Sequence, residues 1–151
     1  MKAIRVLVIT AAAALMAGGA TAREKKVELK DLPPAVQAAV LEQAKDVKVY
    51  SLSVEEEDGK ASYEFESEVN GFSRDVRIDP SGVVVEVEEE IDPARLPEAV
   101  RRAVEGAAGG GTIRKVEAIT KDGATEYEVV IKGGRGKSKL LVSSDGTIRK
   151  E

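Results

Sequence analysis

The sequence predicts an α+β chain of two tandem units, each a helix followed by a four-stranded antiparallel sheet. Three observations predict it. Beyond residue 22 the chain aligns with itself at a single offset of 64 positions, each copy opens on an apolar stripe at helical spacing, and each continues in apolar-alternating runs separated by turn residues. The boundaries that follow are a leader over 1-22, a first copy over 23-91 and a second over 92-151.

The leader reads as a secretory signal. Lys2 and Arg5 supply a positive start, Val6 to Met16 form an apolar run, and Ala20-Thr21-Ala22 fits a small-x-small cleavage site. A membrane anchor is the competing reading, but the run is short for a bilayer and ends in Gly18-Gly19. No cysteine follows it, so no acceptor thiol for a lipid is present. The expected product begins near Arg23 and lies in the periplasm or outside the cell, with no stable membrane insertion after cleavage. It carries 21 basic against 27 acidic side chains, a net charge of −6, which disfavours nucleic acid and anionic membranes as partners.

In the first copy, Leu32-Pro33 leads into a helix whose Val36, Ala39, Val40 and Ala44 fall on one face. Four strand-like runs follow, Val47 to Glu57, Lys60 to Val69, Phe72 to Asp79 and Val83 to Glu90, divided by Asp58-Gly59, Asn70-Gly71 and Asp79-Pro80-Ser81-Gly82. Asn70-Gly71 is a two-residue hairpin signal, and it sets Val69 opposite Phe72, Phe65 opposite Val76 and Tyr63 opposite Ile78. All three pairs are apolar, so the register is self-consistent.

In the second copy, Leu96-Pro97 precedes a stripe of Val100, Ala103, Val104 and Ala107, which Gly109-Gly110-Gly111 terminates. Its runs are Thr112 to Lys121, Ala124 to Lys132, Lys137 to Ser143 and a short one from Thr147, pairing Val129 with Leu140 and Tyr127 with Val142. Asp58-Gly59 answers Asp122-Gly123, Tyr63-Glu64 answers Tyr127-Glu128, and Gly82 answers Gly146. The fourth runs differ in phase: Val83, Val85 and Val87 suggest one inward set, whereas Ile148 corresponds to Val84. A unit of about 60 residues is marginal alone, so the copies are expected to pack together or share a sheet.

These residues resemble the PepSY and PepSY-like domain family. The resemblance rests on the helix stripe, the Asp-Gly turn, Tyr63-Glu64-Phe65 with Ile78-Asp79-Pro80-Ser81-Gly82-Val83, and Tyr127-Glu128-Val129 with Val142-Ser143-Ser144-Asp145-Gly146-Thr147, where Ser143 replaces the aspartate. It covers nearly the whole chain after the leader. Tandem units of this kind are similar in architecture to the beta-lactamase inhibitory protein. The resemblance implies an exported bacterial protein that binds or restrains another protein, including peptidases, without catalysis. It transfers no catalytic residue. Inhibitors of that type rely on aromatic anchors and disulfides, while this chain is 3% aromatic and has no cysteine, which disfavours a beta-lactamase as target.

The side-chain chemistry agrees with a binding role. With no His and no Cys, Ser-His-Asp and Cys-His nucleophiles and the usual structural zinc sites are excluded, and no cofactor is implied. Five aromatic residues leave little material for a sugar-stacking cleft around paired carboxylates. Glu55-Glu56-Glu57-Asp58 and Glu86, Glu88, Glu89, Glu90 could attract calcium or form a solvated, aggregation-resistant edge. Gly133-Gly134-Arg135-Gly136-Lys137-Ser138 is a hairpin tip rather than a phosphate loop, since Ile131 stands where that motif needs glycine and a strand follows.

The candidate partner-binding residues come from a contrast between the copies. Glu66 and Arg77 correspond to Val130 and Leu141, an apolar pair where charge is expected, with Lys132, Lys139 and Arg135 nearby. Packing between the copies would explain Val130 and Leu141 equally well. Charge also divides unevenly, −10 over 32-95 and +3 over 96-151, which suits either orientation of a partner or attraction between the copies. The expected function is that of an exported binding or inhibitory module acting on another envelope or secreted protein. An acidic cation-binding or envelope-sensing protein is the alternative.

Overall fold

The structure, a computed structural model, describes residues 23–134 and 136–149. The leader expected over 1-22 and Arg135 of the expected contact patch lie outside the described residues. In chain order the elements are β1 (Arg23–Lys26), α1 (Pro34–Gln43), β2 (Lys48–Glu57), β3 (Lys60–Val69), β4 (Phe72–Ile78), β5 (Val84–Glu90), α2 (Glu98–Ala108), β6 (Thr112–Lys121), β7 (Ala124–Gly133), β8 (Gly136–Ser143) and β9 (Ile148–Arg149). Single 3-10 turns at Leu29–Asp31 and Pro93–Arg95 lead into the helices.

The expected architecture, two units each with its own four-stranded sheet, is overturned. The nine strands of the described residues form one antiparallel sheet whose spatial order is their chain order. The joint is β5 with β6, paired from Glu86 opposite Lys121 to Glu90 opposite Glu117. Pairing these strands removes two open edges that separate sheets would expose to solvent or to other chains. The sheet also gains β1, Arg-Glu-Lys-Lys, which pairs with β2 from Arg23 opposite Glu56 to Lys26 opposite Ser53. Its four charged side chains carry no apolar alternation, so only the backbone ladder marks it as a strand.

Both helices pack on one face of this sheet, over two separate cores. Under α1, Val36 and Val40 meet Leu32, Phe65, Val76 and Ile78; under α2, Val100 and Val104 meet Leu96, Val116, Val129, Ile131, Leu140 and Val142. The expected stripes hold except at their ends. Ala44 is the residue that caps α1, and Ala107 is exposed while Ala108 packs in its place, because the helix stops at Gly109 in the left-handed region, φ 54°. The turns Asp58-Gly59, Asn70-Gly71 and Asp122-Gly123 all place both residues at positive φ, the geometry of tight two-residue hairpins.

The hairpin registers agree with those read from the sequence: Val69 opposite Phe72, Phe65 opposite Val76, Tyr63 opposite Ile78, Val129 opposite Leu140 and Tyr127 opposite Val142. The discrepant phase of the fourth strands has a local cause. A bulge between β4 and β5 pairs Val84 with Ile78 but Glu86 with Arg77, so Val84 and Val87 both pack on the α1 core while Val83 is exposed. Ile148, opposite Val142, packs on the α2 core as its counterpart.

Candidate partner-binding face

Period-two alternation sends the other half of every strand to the face that no helix of the described chain covers. Register then arranges its side chains in rows across the sheet. One row runs Glu66, Asp75, Glu88, Ile119, Glu126 and Ser143; the next runs Glu90, Glu117, Glu128, Leu141 and Arg149; and on the other side lie Glu64, Arg77, Glu86 and Lys121. Glutamates that look scattered along the sequence are therefore neighbours.

Most of these carboxylates have a donor. Arg77 bridges Glu64 at 3.1 Å and Glu86 at 2.9 Å, Lys121 reaches Glu86 at 3.2 Å, Lys115 reaches Glu117 at 2.6 Å and Lys139 reaches Glu128 at 2.8 Å. Arg149 pairs with Glu126. Hydroxyls serve two more: Ser51 donates to Glu66 at 2.9 Å and Ser73 to Glu90 at 3.2 Å. Burial opposes the Arg77 charge, but Glu86 and Glu64 outweigh it and hold its titration above the ordinary guanidinium range.

Asp75 and Glu88, directly opposite one another, receive no hydrogen bond or ion pair among the described residues. Burial first, then Glu64, Glu66 and Glu117, push the Asp75 carboxyl up to about 6; burial first, then Glu86, Glu117 and Asp75, push Glu88 up to about 7. No sequence motif marks Asp75. The β3–β4 register already set it opposite Glu66, but its pairing with Glu88 depends on the bulge after Val84, which leaves no sequence pattern.

The expected patch falls at the β7–β8 end of this face. Val130 lies opposite Lys139 and Leu141 opposite Glu128, so the two apolar side chains stand diagonally, both half-buried. Lys132, opposite Lys137, is exposed on the same face further toward the hairpin tip. The two halves meet edge to edge through β5 and β6, so neither half stacks over Val130 and Leu141.

The acidic runs do not converge. Among the described residues no group of three or more acidic side chains is arranged to hold a metal ion. No helix among them is long and apolar enough to cross a membrane.

No family model and no curated protein matches the sequence. Solved structures do. The chain is similar to a presumed periplasmic protein of Bacteroides eggerthii, 17% identical over 79% of this chain and 86% of that one with a TM-score of 0.64. It is similar to a DUF2874 family protein of Bacteroides uniformis, 21% identical over 78% and 86% with a TM-score of 0.62. A BLIP-like protein of Bacteroides fragilis is 22% identical over 80% and 84% with a TM-score of 0.59. At these identities the likeness establishes the fold, which is BLIP-like.

Proposed function

We propose that this chain is an exported, non-catalytic protein-binding module of PepSY-like character, its halves 23-91 and 92-151 fused through one sheet, that restrains or regulates another envelope or secreted protein. The observation that carries the reading is the uncovered sheet face: an extended, ordered surface on which the apolar pair Val130 and Leu141 is ringed by Lys132, Lys139 and Glu128. An apolar centre with a charged rim is the usual anatomy of a protein-contact surface. The BLIP-like fold and the absence of His and Cys support binding over catalysis. A periplasmic or secreted location is supported by the leader pattern and by the presumed periplasmic protein of like fold. Duplication is supported by backbone turns that recur at the 64-residue offset: Gly82 N–H to Asp79 C=O at 3.0 Å, and Gly146 N–H to Ser143 C=O at 2.8 Å.

The test is quantitative capture from envelope extract with wild type and with a Val130→Asp, Leu141→Asp double variant whose circular dichroism matches wild type. A protein retained by wild type and lost by the variant is the expected result. Equal retention would remove this surface, and retention of nothing by either would remove the binding reading. The cation-binding alternative draws less support, because the glutamates are distributed along rows instead of converging on a centre.

A further inference from the structure

We propose that Asp75 and Glu88 together retain a proton up to neutral pH and release it there, so that the uncovered sheet face gains negative charge as the pH rises through neutrality. The pair is forced by register. Asp75 on β4 and Glu88 on β5 are Cα partners on one face, where opposed side chains stand about 5 Å apart and like charges repel. Beyond Asp75 in the same row is Glu66 of β3, and beyond Glu88 is Ile119 of β6, an apolar side chain where a counter-charge would have to sit.

The groups around the pair deepen the effect. From β3 come Glu64 and Glu66, from β5 Glu86 and Glu90, and from β6 Glu117; the cations facing the pair are Arg77 of β4 and Lys115 and Lys121 of β6. Each of those cations is committed to a carboxylate outside the pair: Arg77 to Glu64 and Glu86, Lys121 to Glu86, Lys115 to Glu117. Two half-buried carboxylates with acidic neighbours and no donor relieve the repulsion by retaining a proton, and the two titrate as a coupled unit. The upward displacement of both groups, to about 6 and about 7, agrees with this geometry.

The proton pair belongs to the free chain. Its consequence for docking rests on the binding reading above: a cationic partner surface is held more tightly at pH 8 than at pH 5.5. Carbon-detected NMR of the side-chain carboxyls, from pH 3 to 9 on the chain lacking residues 1-22, tests the pair directly. The expected result is two separated steps, the upper one near neutrality; Glu88→Gln abolishes that step, and Asp75→Asn moves it down without reaching the ordinary glutamate range, since burial, Glu86 and Glu117 remain. Both carboxyls titrating at about 4 in wild type would overturn the proposal, as would a Glu88 step that Asp75→Asn leaves in place. Binding of an N-acetylated oligolysine peptide, whose own charge is constant over this range, supplies the second arm. A several-fold gain from pH 5.5 to 8 in wild type, reduced in Glu88→Gln to what Asp75 alone supplies, supports the docking consequence; no gain with the NMR steps intact overturns that consequence and leaves the proton pair standing.

Discussion

Gly82 lies so close under the first turn of α1 that a β-carbon on it would stand 2.6 Å from the Ala35 carbonyl oxygen. The same contact recurs in the second half, where a β-carbon on Gly146 would stand 2.8 Å from the carbonyl oxygen of Ala99. Each glycine closes the turn before the last strand of its half, at φ 87° and 89°, and so seats the start of a helix directly on a turn. Gly71 supplies the control: its φ is 86°, but a β-carbon there meets nothing within 4 Å. Gly71→Ala should cost about 1 kcal/mol, the backbone term alone. Gly82→Ala should cost roughly 2–4 kcal/mol in urea denaturation, because backbone must also move.

The two cores share one sheet but no buried side chain. Phe65, fully buried under α1, is the largest side chain of its core. Phe65→Ala should cost about 3–5 kcal/mol. Because the α1 core shares no buried side chain with the α2 core, and the halves meet through the β5–β6 ladder and Ile91, which packs in the α2 core, hydrogen exchange should show β2, β3 and β4 losing protection while β6, β7 and β8 keep theirs. Uniform loss across the sheet would mean instead that the ladder transmits the damage.

Local chemistry was legible in the sequence wherever a two-residue turn set the geometry. Asn70-Gly71 fixes Phe65 against Val76, and from there the inward and outward faces of β3 and β4 follow. The bulge after Val84 left no such mark, so the outward row that joins Asp75 to Glu88 could not be read. The small size of each half called for packing together or a shared sheet, but which edges join could not be read, because β5 and β6 are separated in the chain by α2 and nothing local says which edges will pair. Val130 and Leu141 were found by comparing the copies, a contrast that needs only the offset. Lys139 was read beside them from the sequence, and Glu128 follows from the register that sets Val129 opposite Leu140.

The turn at Asp79 makes a prediction in acid. Its Oδ1 accepts from the Ser81 amide at 2.8 Å, the Ser81 hydroxyl at 2.6 Å and the Val83 amide at 3.0 Å, and these donors hold its carboxyl below the usual range, Ser81 foremost. A depressed carboxyl contributes stability that is present above the unfolded value, near 4, and is lost as the pH falls through the folded one. Asp79→Ala should therefore lower the thermal midpoint at pH 7 and converge with wild type near pH 2. In the second half Asp145 acts two positions later, accepting from the Thr147 amide at 2.9 Å, so Ser143→Asp should add little there.

Glu88 predicts the opposite slope. Between the ordinary carboxyl value near 4 and about 7, the folded chain keeps a proton that the unfolded chain has released. The unfolded state then binds fewer protons than the native one, so stability falls as the pH rises through that window and levels off above it. Glu88→Gln removes the titrating group while keeping its size, and the Gln amide can donate to the Asp75 carboxylate opposite. Relative to wild type, the variant should therefore gain about 2–4 °C in thermal midpoint on going from pH 5 to pH 8. Glu89→Gln isolates the cause: Glu89, next in the chain, faces the helix side, and its carboxylate accepts from Arg74 at 3.0 Å. That substitution should leave the slope between pH 5 and pH 8 as it is in wild type. A parallel offset of Glu88→Gln at both pH values would assign its effect to packing and remove the proton from the account.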